Sequence, residues 1–311
     1  MNTQVEVNRH QTQTKTFRLL IGGIILVMVG VICMIILAKI FFRPNEWTIT
    51  SYASVTGNQA MIYSIVDNRG RLILIDGGWE EDAEQVRQVI EEHGKHVYAW
   101  IITHPHPDHT GAFNVIMTEN TDIDVDDIYV TNLDYDRYRE TAQWYDAFDA
   151  CEKYYQIINE LDNVHILQEN DSFECIGLVF DVLHGWDSNV SHQKDHLCNN
   201  GSLMFIVKGH RERMLVCADV QVEMEQLILT KHSDKLHDIQ YVQAAHHGNW
   251  GLTTNFYDEI ENPEIVFFDS TDILLDSGEV GYDAGKLKEY FENRGAEVVN
   301  YSNAPNSILL R

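Results

Sequence analysis

The chain has 311 residues, of which 44% are hydrophobic and five are proline, so it can form a folded core and is not largely disordered. Acidic residues outnumber basic residues by 48 to 22, which gives a formal net charge of −26. A surface of this charge repels polyanions, and it disfavours a protein that binds nucleic acid unaided.

The first predicted element is an apolar helix near the N-terminus. Leu19 to Ala38 are twenty residues without a charge, and as a helix they would span ~30 Å, the thickness of the hydrocarbon core of a bilayer. A cleaved signal peptide has an apolar region of only about 7 to 15 residues and ends in a small-residue cleavage site, which this segment lacks. We therefore predict a transmembrane anchor over residues 19–42, preceded by a cytoplasmic tail over residues 1–18.

Basic residues flank this anchor, with a small excess on its N-terminal side. The residues concerned are Arg9, Lys15 and Arg18 before the anchor, and Lys39 and Arg43 after it. By the positive-inside rule, the excess favours a cytoplasmic N-terminus. We therefore predict a single-pass protein of the cell membrane with an extracytoplasmic catalytic domain. The sequence does not identify its protein partners.

Residues 46–311 are predicted to form one large domain in which strands and helices alternate. Short β-branched runs and buried apolar runs predict strands over residues 48–53, 60–66, 71–75, 97–103, 128–131, 178–183, 203–208, 214–218, 241–245, 265–268, 297–301 and 307–310. Apolar residues at helical spacing predict helices over 80–93, from the histidine cluster to about 117, and over 135–161, 220–231, 255–260 and 283–293. Two successive halves of strands and helices predict an α/β fold of two mixed sheets, packed face to face with helices outside.

The main chemical motif is Thr-His-Pro-His-Pro-Asp-His-Thr-Gly at residues 103–111. His104, His106, Asp108 and His109 fall within six positions, after a predicted strand and before a helix. Imidazole and carboxylate ligands suit Zn²⁺ and similar ions. At a strand end the backbone can direct the first two histidines to one position and the Asp-His pair to a neighbouring one, which predicts two metal ions.

With this motif, the chain resembles the metallo-β-lactamase superfamily over residues 47–311. The resemblance rests on His-x-His-x-Asp-His after a strand, on Asp76-Gly77-Gly78 before it, and on a later aspartate and histidine, each at a strand end. It implies a four-layer αββα sandwich, here preceded by one transmembrane helix. It also implies two divalent metal ions, with zinc as the expected metal and manganese as the alternative.

The resemblance assigns metal ligands within and beyond the motif. His104 and His106 would hold one metal, and Asp108 and His109 would hold the second. Asp219, at the end of a predicted strand, would bridge both, although it also precedes a helix and could serve as its N-cap.

The remaining assignments concern Ala245-His246-His247-Gly248 and Asp76. His247, next to the glycine, is the expected last metal ligand. His246 is expected to contact the substrate or a ligand, and we assign catalytic roles to His246 and Asp108. Asp76 would orient the metal-binding loop through hydrogen bonds.

The third metal-binding histidine of the family has no clear counterpart. His184, His192 and His196 are candidates, but none has the usual Gly-His-Thr context. Asn-Asn-Gly-Ser-Leu at residues 199–203, followed by His-His-Gly, is similar to the subgroup that includes the ComEC/Rec2 competence domain and bacterial phosphorylcholine esterases. In that subgroup an asparagine occupies the region, which implies one metal that is more open to substrate.

Paired divalent ions generate a hydroxide, so the predicted activity is hydrolysis without a protein nucleophile. We expect a phosphodiester or a phosphorylated envelope component, because the ions would offset the acidic surface. The expected binding partner is thus the substrate itself, either a small molecule or a group linked to the cell envelope. Two alternatives stay open: hydrolysis of an ester, lactone or lactam, and a non-catalytic metal-binding sensor domain. A nuclease ranks lower, because no basic strip is evident.

Overall fold

The structure, a computed structural model, describes residues 21, 23–34, 45–119, 122–276 and 283–311. The chain divides into two units, Met1–Asn45 and Glu46–Arg311. Residues 21 and 23–34 of the predicted anchor are helical, and large apolar side chains such as Leu26 are exposed. The rest of the anchor and the whole predicted tail lie outside the described residues. No helix in the described ranges is long and apolar enough to cross a membrane, so the predicted anchor is not shown.

The second unit is built on two β-sheets. Its described residues form the strands β1 (Trp47–Ser51), β2 (Ile62–Asp67), β3 (Leu72–Asp76), β4 (His96–Ile102), β5 (Asp124–Val125), β6 (Ile128–Thr131), β7 (Val164–Leu167), β8 (Ser172–Cys175), β9 (Leu178–His184), β10 (Met204–Lys208), β11 (Arg213–Val216), β12 (Tyr241–Gln243), β13 (Ile265–Phe267), β14 (Glu297–Val299) and β15 (Asn306–Leu310). The first sheet has the order β15-β1-β2-β3-β4-β6-β7, with β5 paired to β4, and the second has the order β14-β13-β12-β11-β10-β9-β8.

Helices connect the strands. They are Ala83–Glu92, Pro107–Thr118, Tyr135–Thr141, Phe148–Glu160, Ser188–Ser191, Leu197–Asn200, Val222–His232, Thr254–Tyr257, Asp272–Asp276 and Ala284–Asn293. Short 3₁₀ turns add Glu80–Asp82, Ser233–Lys235, Ala245–Gly248 and Tyr301–Asn303.

Each sheet is antiparallel in one part and parallel in the other. In the first sheet β2 and β3 are antiparallel, whereas β3 and β4 are parallel. In the second sheet β10 and β11 are antiparallel, whereas β11, β12 and β13 are parallel. The prediction of two mixed sheets is confirmed.

Side-chain alternation along the strands divides the core into three apolar layers. Ile73 of β3 and Phe205 of β10 lie between the sheets. Their neighbours face outward: Leu74 packs against the helices of the first sheet, and Ile206 against those of the second. Successive residues of a strand point to opposite faces, so both faces of each sheet are buried. The layers therefore run helix, sheet, sheet, helix.

The structure differs from the sequence prediction where the local residue pattern does not mark a helix break or a strand. The helical region predicted over residues 135–161 is two helices, separated by a loop in which Ala147 has a positive φ of 45°. Neither glycine nor proline marks this break. The short strands β5, β7 and β8 were not predicted. In β8 the side chains alternate between exposed and half-buried, so an apolar run is lacking.

Gly111 fixes the helix Pro107–Thr118 against the loop after β3. A Cβ atom there would lie 2.2 Å from the backbone nitrogen of Glu80 and 2.3 Å from the carbonyl carbon of Trp79. Backbone atoms cannot rotate away, so we expect Gly111→Ala to lower the free energy of unfolding by about 3 kcal/mol, at the upper end for overpacking. Urea denaturation tests this, with Thr118→Ala on the exposed face of the helix as control. A change below about 0.5 kcal/mol, typical of surface substitutions, would contradict it.

Candidate metal centre

Polar side chains collect where strands of both sheets reach their carboxyl ends. Asp76 ends β3, and the motif follows β4 directly. Asp219 comes three residues after β11, and His247 four residues after β12. Such strand ends are the usual ligand sites of open α/β sheets. In this domain the strand ends of the two sheets meet, because ligand candidates from each lie within a few ångströms of one another.

The carboxylate of Asp219 is at the middle of the cluster. Its Oδ2 lies 3.3 Å from Nε2 of His109, 3.3 Å from Nε2 of His247 and 3.8 Å from Nε2 of His104. Asp108 Oδ2 lies 3.3 Å from His247 Nε2. The structure thus brings Asp219 beside residues of the motif and beside His247.

Donor atoms that could hold a metal occur here in three groups. Within each group the atoms lie within 4.8 Å of one another, and the groups are His104-His109-Asp219, Asp108-His109-His247 and His104-His106-Cys198. His106 is therefore placed beside His104, in a different group from Asp108. This separation into neighbouring groups fits two ions.

Many of these potential metal-ligand atoms also lack a hydrogen-bond partner. Among the described residues, the buried atoms without a hydrogen-bond partner include Nε2 of His104, His106 and His109, both ring nitrogens of His247, and Oδ1 of Asp219. A buried polar atom left unpaired costs about 1–3 kcal/mol. Neighbouring ligands of a tetrahedral zinc ion, at bond lengths of 2.0–2.2 Å, are roughly 3.3–3.6 Å apart. The measured separations of 3.3 and 3.8 Å are close to this range, so the residues fit a divalent metal ion.

Burial and neighbouring charges shift the pKa values of the acids and histidines in the cluster. Burial lowers the pKa of His104 well below its usual value, which keeps the ring neutral and its lone pair available. Burial alone would raise the pKa of Asp219, but His247 and His109 outweigh it and hold that pKa well below its usual range. Against the effect of burial, Asp219 and Asp108 raise the pKa of His247 to about 10. Without a cation, protons on the rings balance the carboxylates, and a bound metal would take their place.

Asp76 holds His109 and Thr103 in place through hydrogen bonds. Its Oδ2 accepts a hydrogen bond of 2.7 Å from Nδ1 of His109, and its Oδ1 accepts one of 2.8 Å from the backbone N–H of Thr103. The Thr103 hydroxyl donates to the same carboxylate at 2.7 Å. These bonds fix the tautomer of His109 so that its Nε2 faces the cluster.

Gln243 holds the turn that carries Asp219, and sequence reasoning missed it. Its Oε1 accepts hydrogen bonds from the backbone N–H groups of Cys217 and Ala218 at 3.0 and 2.8 Å. Ala218 has a positive φ of 47°, which turns the chain sharply before Asp219. A glutamine within the apolar strand β12 carries no motif, so only the pairing of β11 with β12 identifies it.

The two histidines of the 3₁₀ turn Ala245–Gly248 face different partners. Both have positive φ, 52° for His246 and 58° for His247. His246 donates from Nδ1 to the carbonyl of Asn249, so its Nε2 is left as an acceptor. That Nε2 lies 3.3 Å from Nδ2 of Asn199 and 3.9 Å from Oδ2 of Asp219. Burial lowers the pKa of His246, so its ring is a neutral acceptor beside the cluster.

None of the candidates for the third histidine joins a group of close donors within the described residues. His184 is buried with its Nε2 2.7 Å from the carbonyl of Asn200. His192 is exposed and bonded to Ser188, while His196 lines the cleft beside the ring of Tyr145. Asn199 faces the cleft instead, and its Oδ1 has no hydrogen-bond partner.

A cleft of about 680 Å³ opens onto the cluster. Aromatic side chains in its wall are Trp79, Tyr145 and Trp250. Of the aromatic residues within the helical region predicted over residues 135–161, Tyr145 lines the cleft, whereas Tyr138 and Tyr154 are buried in the core. Among the described residues that line the cleft, several are acidic and none is lysine or arginine. An anionic group in the cleft would therefore depend on bound cations for charge.

Asp269, two residues after β13, is a buried carboxylate near His247. Its Oδ1 accepts hydrogen bonds from Tyr63 at 2.6 Å and Ser51 at 3.3 Å, while its Oδ2 has no partner. Burial raises the pKa of Asp269 from 3.8 to about 6. Between these pH values the folded chain retains a proton that the unfolded chain loses, so stability falls as the pH rises.

We therefore expect Asp269→Asn to remove a pH dependence from the metal-free protein. From about pH 3 to pH 7, the wild type should lose about 3 kcal/mol of unfolding free energy relative to this variant, at 1.36 kcal/mol per pKa unit. Urea denaturation at several pH values measures the difference. The exposed Asp162→Asn should track the wild type, and parallel curves for wild type and Asp269→Asn would refute the assignment.

Comparisons with known proteins agree with this fold and motif. Residues 55–122, which include Asp76 and the motif, match the family model of the metallo-beta-lactamase superfamily. No curated protein matches the chain by sequence. The metallo-beta-lactamase fold protein YhfI from Bacillus subtilis is similar in structure, with a TM-score of 0.50 and 10% identity over 85% of this chain and 98% of that one. A variant of CmlA beta-hydroxylase has a TM-score of 0.51 and 11% identity, over 85% of this chain and 54% of that one. The domain thus has the metallo-β-lactamase fold.

Proposed function

We propose that this chain is a membrane-anchored, binuclear metal-dependent hydrolase of a phosphodiester or a phosphorylated envelope component. The observation that carries the proposal is the convergence of buried donors without hydrogen-bond partners around Asp219 Oδ2. Two divalent ions, zinc or alternatively manganese, would lower the pKa of a water molecule and neutralise the charge that develops during hydrolysis.

In this proposal, the ligands are those that the resemblance assigns. His104 and His106 would hold one ion, Asp108 and His109 would hold the other, Asp219 would serve both, and His247 would be the last ligand. Asp76 orients His109 through their 2.7 Å hydrogen bond. His246 presents a neutral Nε2 at the cleft, where it faces Nδ2 of Asn199 at 3.3 Å and can exchange this partner for a hydrogen bond or a proton from the substrate.

The substrate class follows from the charge of the cleft. Its described lining offers aromatic rings, histidines and carboxylates but no lysine or arginine, so the cations would hold the phosphoryl group. The volume of about 680 Å³ suits a small molecule or one group of an envelope polymer. The net charge of −26 weighs against nucleic acid. Asn199 at the cleft supports placing the chain near the ComEC/Rec2-like and phosphorylcholine-esterase-like subgroup.

The activity can be tested on the purified full chain with bis-nitrophenyl phosphate and added zinc or manganese. A parallel panel of an ester, a lactone and a lactam tests the other substrate classes. We expect metal-dependent turnover of the phosphodiester that is lost in Asp108→Ala and kept in Asp149→Ala, which changes an exposed aspartate. Turnover of only the panel would replace the substrate class, and bound metal without any turnover would favour the sensor domain.

The membrane anchor is a further part of the proposal. Its support is the uncharged run from residue 19 to 38, together with the helical conformation and exposed apolar side chains of residues 23–34. The basic residues around it favour an extracytoplasmic catalytic domain. Membrane fractionation with an alkaline wash, followed by protease treatment of intact cells, tests both points. Release of the full chain into the soluble fraction would contradict the anchor, and protection from external protease would contradict the orientation.

A further inference from the structure

We propose that Asp146 provides a carboxylate ligand to the metal ion held by His104 and His106. The inference rests on the two-metal site proposed above. Asp146 lies outside the motif, in the loop between the helices Tyr135–Thr141 and Phe148–Glu160.

The carboxylate of Asp146 lies beside His106, although within the described residues it joins no group of three close donors. Asp146 is only 4% exposed and lines the cleft. Its Oδ1 lies 3.4 Å from Nε2 of His106. This separation is within the roughly 3.3–3.6 Å expected between neighbouring ligands of a tetrahedral zinc ion. It also resembles the 3.3 Å between Asp108 and His247 in the other group.

The loop aims one carboxylate oxygen at His106. The backbone N–H of Gln143 donates to Oδ2 of Asp146 at 2.5 Å, and the backbone N–H of Asp146 donates to the carbonyl of Gln143 at 3.0 Å. These two bonds close a turn that holds the side chain. Since Oδ2 is occupied by the backbone, Oδ1 is the oxygen that faces the histidine.

An ordinary hydrogen-bonded pair does not account for this arrangement. The Nε2 of His106 is buried and has no hydrogen-bond partner, although Asp146 is only 3.4 Å away. A metal ligand must be unprotonated, so a cation between the two atoms would satisfy both of them.

Two other nearby side chains are weaker candidates than Asp146, Cys198 because of its apolar surroundings and Asn199 because it carries no charge. Cys198 belongs to the group with His104 and His106, and Asn199 lines the cleft with an unpartnered Oδ1. Cys198, however, is buried in the apolar core of the second sheet and its helices. With Asp108, Asp146 and Asp219 as ligands, three negative charges would face two divalent cations, and one positive charge would remain for an anionic substrate.

Metal binding by the full chain tests the proposal without any substrate. Zinc content and affinity are measured by titration against a competing chelator, and the ligand field by the absorption spectrum of the cobalt-loaded protein. We expect Asp146→Ala to weaken binding of one metal by at least about tenfold, to change the cobalt spectrum and to keep the second metal. Asp146→Asn should weaken it less, since an amide oxygen can still bind. Asp149→Ala, an exposed aspartate three residues away, and Cys198→Ala should each retain both metals.

The result that overturns the proposal is wild-type affinity for both metals and an unchanged cobalt spectrum in Asp146→Ala. Loss of one metal in Cys198→Ala, with both metals retained in Asp146→Ala, also overturns it and assigns the thiolate instead. The second metal reports whether each variant has folded. If the wild type binds two metals but hydrolyses nothing, the proposed function fails while the role of Asp146 is still decided by affinity.

Discussion

Substituting Asp219 by asparagine is expected to reduce metal-dependent hydrolysis by roughly 10³-fold or more, a loss of about 4 kcal/mol at 1.36 kcal/mol per tenfold change. Its Oδ2 is 3.3 Å from a ring nitrogen of both His109 and His247 and 3.8 Å from one of His104, so this one atom adjoins candidate ligands of both proposed metal ions. Asparagine removes the negative charge that draws the ions together. It also removes the partner that holds protons on His109 and His247 before metal binds.

The measurement is kcat/KM on the phosphodiester with zinc, together with zinc content. Asp149→Asn provides the matched control, because it removes an equal charge from an exposed position. Retention of more than a tenth of the wild-type activity by Asp219→Asn, with both metals bound, would show that the bridging position is not needed.

Removing metal with a chelator is expected to lower the melting temperature by roughly 8–16 °C for each site emptied. A site saturated at 1,000 times its Kd stabilises the fold by about 4 kcal/mol. For a domain of this size each kcal/mol shifts the melting temperature by about 2–4 °C. The physical source is the cluster of buried donors, because a metal ion satisfies atoms that otherwise lack partners.

A thermal melt of the full chain before and after chelation, and again after zinc is restored, measures this effect. Magnesium should restore less, since it prefers octahedral oxygen ligands. The zinc-dependent shift should shrink as the pH falls, because His109 and His247, whose pKa values the carboxylates raise, must lose protons to bind metal. Equal melting temperatures with and without zinc at pH 8 would exclude a structural metal site here.

The sequence was most informative where the chemistry is local. His104 and His106 follow β4 directly, and Asp108 and His109 lie in the first turn of the next helix, so their spacing alone predicted a metal motif. Apolar patterns along the chain likewise predicted most long strands and the two mixed sheets. Successive side chains of a strand point to opposite faces, so the burial of one or both faces sets which residues of the strand are apolar. The assignment of Asp219 and His247 as metal ligands needed the family resemblance, since each follows an apolar strand without a ligand motif around it.

The tertiary structure decided what distant segments contribute. Asp146, Gln243 and Asp269 reach the centre from three separate parts of the chain, and none belongs to a recognisable spacing. Asp146 does so only because the helical region predicted over residues 135–161 breaks at the positive φ of Ala147, which the sequence does not signal. The sequence thus determined the local motif and the strand pattern. Which carboxylates and amides complete the site depends on how two sheets pack, and long-range packing leaves no periodic trace in the chain.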